Sequence, residues 1–169
     1  MKIEDNFLEQ KVFYELKSLL MGVNLPWYYN PIIDSADDID KFQFVHRFYE
    51  DFSPRSEFIG QMNPILDIIK PISLCRIKAN LLTRTSNIIE NLFHVDIGNL
   101  ENSPEKLKQW TTSIFYVNTN DGYTKFEDGS VVESVANRMV TFPADMKHTG
   151  TSCTDEKRRI VINFNYFEH

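Results

Sequence analysis

The sequence predicts a mainly β protein, a sandwich or barrel, with helices from its N-terminal part packed on one sheet. Two observations predict this. Before residue 72, apolar residues recur at helical spacing in two stretches; after it, short alternating runs separated by turn residues take over. A third is the length: 169 residues suit one domain spanning 1–169 with a sizeable core. The expected division is a helix-rich support over 1–72 and a β core over 73–167.

In chain order, residues 5–21 read as an amphipathic helix. Asp5 can cap it, Leu8, Val12, Leu16, Leu19 and Leu20 form its buried stripe, and Gly22 can end it. Residues 23–30, with Pro26-Trp27-Tyr28-Tyr29, read as extended. Asp34, Asp37, Asp38 and Asp40 mark an exposed loop. Phe42, Phe44, His46 and Phe48 alternate with Gln43, Val45, Arg47 and Tyr49 as a strand does, and a polar loop follows over 53–56. Residues 63–69 read as a second helix: Asn63 can cap it, Pro64 suits its first position, and Ile65, Leu66, Ile68 and Ile69 supply an apolar side.

Beyond Pro71, strands are expected over 74–82 and 88–96, flanking the turn Thr83–Ser86. A polar loop over 97–109 and a strand over 110–118 come next. Asn120-Asp121-Gly122 makes a turn, and Asp128-Gly129 can close a hairpin between 123–126 and 131–135. Residues 139–142 form a short strand ended by Pro143. A last hairpin is expected to join 148–153 to 158–167 across Thr154-Asp155-Glu156. Loops 31–41, 52–62 and 97–109 are candidate lids.

Composition narrows the function. A net charge of −6 argues against a general binder of nucleic acid or anionic membranes. Two cysteines, Cys75 and Cys153, make no disulfide framework, which fits a reducing compartment. The charged start Met1-Lys2-Ile3-Glu4-Asp5 lacks a signal-peptide core, and no apolar run is long enough to span a bilayer. A cytoplasmic protein without a membrane partner, monomer or homodimer, is expected.

The chemistry points to His94-Val95-Asp96. Residues two apart on a strand face the same way, so this imidazole and carboxylate can hold one metal together. His148 then completes a two-His, one-carboxylate face with three coordination positions open, which suits non-haem Fe(II) and O2 chemistry. Alone, a His or Asp in a β-rich chain is more often a hydrogen-bonded structural residue. His46, in an aromatic strand, reads as packed or exposed, and His169 as frayed. Trp27, Tyr28 and Tyr29 fit core packing better than a groove, and Cys153 reads as a small buried residue. Arg76, Lys78 and Asn80 share one strand face, either bordering a pocket or solvated.

Several motifs agree in order. His94-Val95-Asp96 is followed by Ser113-Ile114-Phe115-Tyr116-Val117-Asn118, by Gly122-Tyr123-Thr124-Lys125-Phe126, by His148, and by an arginine-bearing last strand. Over roughly residues 74–167 the chain resembles the Fe(II)/2-oxoglutarate-dependent oxygenases, nearest the prolyl 4-hydroxylase-like branch and its small microbial and phage members. The resemblance implies a double-stranded β-helix, or jelly-roll. It implies Fe(II) on His94, Asp96 and His148, with 2-oxoglutarate and O2 as co-substrates. The far carboxylate of 2-oxoglutarate would meet an arginine of the last strand, Tyr116 and Thr124. Asp121 stands where the family's first Gly does.

Strand alternation chooses between two arginines. Arg158 shares a face with Ile160, Ile162 and Phe164, and Arg159 with Val161, Asn163 and Asn165. The polar face suits the pocket, so Arg159 is preferred and Arg158 is the fallback. The reaction implied is hydroxylation of a C–H bond with release of succinate and CO2. The branch inclines the substrate toward a protein or peptide residue, with small molecules open. Two rival readings remain: a cupin-type metal enzyme without 2-oxoglutarate, and a non-catalytic jelly-roll binding module.

Overall fold

The computed structural model describes residues 1–33, 41–100 and 102–168. Eleven strands and three α-helices are present among them: β1 (Lys2–Glu4), α1 (Gln10–Met21), β2 (Tyr28–Asn30), β3 (Gln43–Glu50), β4 (Ser53–Pro54), α2 (Asn63–Ile69), β5 (Ser73–Thr83), α3 (Pro104–Leu107), β6 (Thr111–Tyr116), β7 (Tyr123–Phe126), β8 (Val131–Glu133), β9 (Arg138–Pro143), β10 (His148–Gly150) and β11 (Arg158–Phe167). A 3-10 turn over Glu57–Met62 leads into α2. The strands form two antiparallel sheets. The larger runs β1-β9-β6-β11-β5-β3-β2, with β4 paired to β3; the smaller runs β10-β7-β8. This is a double-stranded β-helix, mainly β as expected.

Helices α1 and α2 cover the outer face of the larger sheet. Phe13, Leu16 and Leu20 of α1 and Ile65 of α2 pack on Ile77, Ala79 and Leu81 of β5 and on Ile160, Ile162 and Phe164 of β11. A second core, with Ile114, Tyr116, Phe126, Val132, Val140, Phe142 and Val161, fills the space between the sheets. The alternating faces of β11 thus serve two layers, as period-two alternation requires. No helix among the described residues is long and apolar enough to cross a membrane.

Four local expectations are corrected. The first helix begins at Gln10, not Asp5; Glu9 caps it by accepting from Lys11 N, 3.3 Å away. Asp5 instead holds Arg138, at 2.6 Å, beside an unexpected strand, β1, which pairs with β9. Residues 88–96 form no continuous strand and meet residues 148–151 through two isolated bridges. Their apolar residues are not alternating, and Ile89, Leu92 and Phe93 are exposed. The 97–109 loop contains α3 and a short 3-10 turn at Gly98–Leu100.

The fourth correction is topological. Residues 148–153 and 158–167 are not a hairpin: β10 pairs with β7 in the smaller sheet, and β11 lies between β5 and β6 in the larger. Residues 154–157 are a crossing between sheets. Asp121 pins it by accepting from Thr154 N at 2.7 Å and from the Thr154 hydroxyl, and Asp155 accepts from Asp121 N at 3.0 Å.

Candidate active site

The backbone first brings the two imidazoles together. His94 and His148 face each other across an antiparallel bridge, each N–H donating to the other's carbonyl at 3.0 Å. Their rings stand 4.9 Å apart. Each Nδ1 lies beside the carbonyl two residues earlier: Leu92 O at 3.1 Å for His94 and Met146 O at 3.2 Å for His148. A carbonyl accepts only, so each Nδ1 carries the proton and each Nε2 keeps its lone pair. Both Nε2 atoms face Asp96 Oδ1, at 3.8 Å from His94 and 4.0 Å from His148. The three ligand atoms lie within 4.8 Å of one another.

Asp96 is held from the larger sheet. Arg76 Nη2 on β5 approaches Oδ1 to 3.0 Å, Asn163 Nδ2 on β11 donates to Oδ2 at 3.1 Å, and Asn165 Nδ2 donates to Oδ2 at 3.1 Å. Arg76 is itself aligned by its Nε donating to Asn165 Oδ1 at 3.0 Å. Burial alone would push the Asp96 carboxyl up. Arg76, the two imidazoles and Lys78 more than reverse this and hold it well below the usual carboxylate range. His148 goes the other way: burial lowers its pKa against the pull of Asp96, favouring the neutral imidazole a metal needs.

These groups open on a cavity of about 260 Å³ between the sheets. Arg159 and Thr124 line one wall. The Arg159 guanidinium is fully buried. Its Nε donates to Ser134 Oγ at 2.8 Å and its Nη2 to Thr124 Oγ1 at 3.3 Å, and Tyr116 Oη donates to the same Thr124 oxygen at 2.8 Å. The guanidinium carbon lies 5.8 Å from the Tyr116 ring centre. No carboxylate pairs with Arg159 among the described residues, and burial lowers its pKa. Gly122 makes room for it: a Cβ there would fall 2.6 Å from Arg159 Cδ and 2.6 Å from Ser152 O.

The structure brings His94, Asp96 and His148 together in this cavity, with Thr124 and Arg159 on its wall and Tyr116 behind Thr124. Arg158 lies outside it. Its Nη2 donates to Met21 O at the end of α1, on the helix-covered face. His46 is buried between Pro26 O at 2.7 Å and Ser56 Oγ at 2.8 Å, a satisfied structural imidazole. Cys153 is buried, and its thiol donates to Glu156 O. Tyr28 and Tyr29 are exposed, while Trp27 packs on the helix-covered core. His169 and most of the 31–41 loop lie outside the described residues. Sequence reasoning missed Ser134 and the grip of Arg76, Asn163 and Asn165 on Asp96. The signal available was the shared face of Asn163, Asn165 and Arg159 on one strand.

No protein-family model and no curated protein matches the chain. Solved structures do match. The non-heme α-ketoglutarate-dependent epimerase SnoN from nogalamycin biosynthesis aligns over 98% of this chain and 77% of its own, with TM-score 0.65 and 11% identity. A Trichoplax adhaerens prolyl hydroxylase, solved with a hypoxia inducible factor oxygen degradation domain peptide fragment, aligns over 98% of this chain and 82% of its own, with TM-score 0.62 and 13% identity. A Pseudomonas putida prolyl-4-hydroxylase aligns over 99% of this chain and 92% of its own, with TM-score 0.59 and 11% identity. The architecture is therefore that of the 2-oxoglutarate–Fe(II) oxygenases. Within that class the prolyl hydroxylases, the branch the sequence motifs resemble, are structural neighbours of this chain; at these identities the likeness is one of fold.

Proposed function

We propose that the chain is an Fe(II)- and 2-oxoglutarate-dependent oxygenase that hydroxylates a C–H bond of a peptide or small-molecule substrate, releasing succinate and CO2. One observation carries the reading: a single cavity gathers a two-His, one-carboxylate cluster and a buried arginine that has no counter-charge among the described residues. The residues fit both groups. His148 Nε2 is a buried nitrogen with no hydrogen-bond partner, as a ligand awaiting a metal would be. A buried guanidinium bonded only to hydroxyls is costly unless an anion joins it, and its planar fork matches a carboxylate.

Each residue then has a defined task. His94 and His148 offer Nε2, and Asp96 offers Oδ1, which faces both. Arg76, Asn163 and Asn165 fix that carboxylate so that its orientation need not be found anew on binding. Arg159 and Thr124 hold the far carboxylate of 2-oxoglutarate, and Tyr116 keeps Thr124 turned toward it. Ile114, Val95 and Val161 supply apolar lining that limits water in the cavity. When bound, Fe(II) and 2-oxoglutarate supply the oxidation itself, one oxygen atom of O2 going to succinate and the other to the substrate. A cytoplasmic location fits the free cysteines.

Anaerobic titration with Fe(II) and then 2-oxoglutarate tests this. The visible charge-transfer band of the chelate should appear, vanish in His94→Ala, and need more 2-oxoglutarate in Arg159→Ala. Iron binding without the band would favour the cupin-type reading, and binding of neither would favour the non-catalytic module.

A further inference from the structure

The cavity has two basic walls. One, on β11 and β7, carries Arg159 and Thr124. The other is built by Arg76, Lys78 and Asn80 on β5 and by Gln43 on β3. The strand order β6-β11-β5-β3 sets the second wall beside β11, on the side away from β6. Of its cations, Arg76 is committed to Asp96. Lys78 is not: this half-buried ammonium has no hydrogen-bond or ion-pair partner among the described residues. Its cross-strand neighbours are Asn163, which already donates to Asp96, and Arg47, which pairs with Glu50 at 3.2 Å.

Two more groups there lack partners. Asn80 Oδ1 and Asn163 Oδ1 are buried acceptors without a donor. The orientation of Asn163 is fixed, because its Nδ2 must face Asp96. The wall thus presents one free cation flanked by free acceptors. Its complement is an anion with an N–H or O–H donor beside it.

We propose that the β5 wall around Lys78 is the primary-substrate subsite and takes a substrate bearing a carboxylate next to an N–H or O–H donor. The proposal rests on the oxygenase reading, which assigns Arg159 and its wall to 2-oxoglutarate. With that carboxylate on Arg159 and Asp96 in direct contact with Arg76, Lys78 is the described cation lining the cavity that has no counter-charge at ion-pair distance. A neutral prolyl ring would leave it so. An anionic group would be bound by a charge-assisted contact and held at the metal end of the cavity, where the Lys78–Asn163 pair lies.

The test uses the full chain loaded with Zn(II), a redox-inert stand-in, and saturating 2-oxoglutarate. N-acetylglycine and its neutral amide, N-acetylglycinamide, are titrated in parallel and followed by amide chemical shifts. The acid should bind at least about tenfold more tightly than the amide, as a charge-assisted contact predicts. Lys78→Arg should keep that preference and Lys78→Gln should lose it. Equal binding of acid and amide, or a preference that survives in Lys78→Gln, overturns the proposal. A blocked peptide with one Asp separates the sources: whichever of it and N-acetylglycine binds more tightly names a side-chain or a free-acid substrate, and binding of neither overturns the subsite. The preceding 2-oxoglutarate titration reports on the oxygenase reading separately. If that co-substrate fails to bind, the loss or survival of the acid–amide preference in Lys78→Gln on the Zn(II) protein still decides the role of Lys78.

Discussion

At the scale of single residues, the arrangement around Asp96 sets what the site can hold. Arg76 approaches Oδ1, Asn165 donates to Oδ2, and Asn163 donates to Oδ2 at 3.1 Å and more weakly to Oδ1 at 3.3 Å. Oδ1 therefore keeps room for one metal bond, on the side of the two imidazoles. Arg76→Gln removes the charge and loosens the carboxylate. It should weaken Zn(II) or Fe(II) binding by about ten- to a hundredfold, the usual cost of losing a group that orients a ligand. Direct metal titration of the variant checks this, and unchanged affinity would reduce Arg76 to a structural ion pair. Gly122 acts through Arg159 in a similar way, since any side chain there would displace the guanidinium stem.

Elements show why the site is built where it is. Helix α1 fixes one face of β11 while the opposite face carries Arg159, Val161 and Asn163 into the cavity. Leu20 is fully buried in that helix contact. Leu20→Ala should cost about 2–5 kcal/mol in urea unfolding, from lost burial and the cavity left behind, with metal affinity unchanged in the folded variant. At this scale the sequence was legible where pattern is local. Period-two alternation separated Arg159 from Arg158, and Asp128-Gly129 marked the β7–β8 hairpin. It misled at residues 154–157, because a turn between two strands looks the same whether they pair or part to different sheets. Residues 88–96 looked like a strand, yet only two bridges join them to 148–151. The two histidines still meet because one of those bridges is between them. The grip on Asp96 was not legible, since it joins β5 and β11 to a residue outside both.

Across the whole molecule, the N-terminus is tied to the far edge of the larger sheet. β1 pairs with β9, Asn137 holds Leu8 at both backbone groups, and Asp5 meets Arg138. The hydrogen bond and charge of Arg138 lower the Asp5 pKa against slight burial. A carboxylate depressed in the folded state stabilises it fully above the unfolded pKa and ceases to do so as pH falls through the folded one. Asp5→Asn should therefore destabilise at neutral pH, by less than about 1 kcal/mol for so exposed a pair. Melting curves taken downward in pH should show the gap between variant and parent closing in acid.

The two layers also divide the ligands between them. The imidazoles ride on the rim of the smaller sheet, at β10 and the segment bridged to it, while the carboxylate is moored to β5 and β11 of the larger. An ion seated among them is a clasp between the leaves of the sandwich. Loading it would resist their parting and stripping it would remove that tie, so that occupancy of the site and the cohesion of the two leaves would rise and fall together.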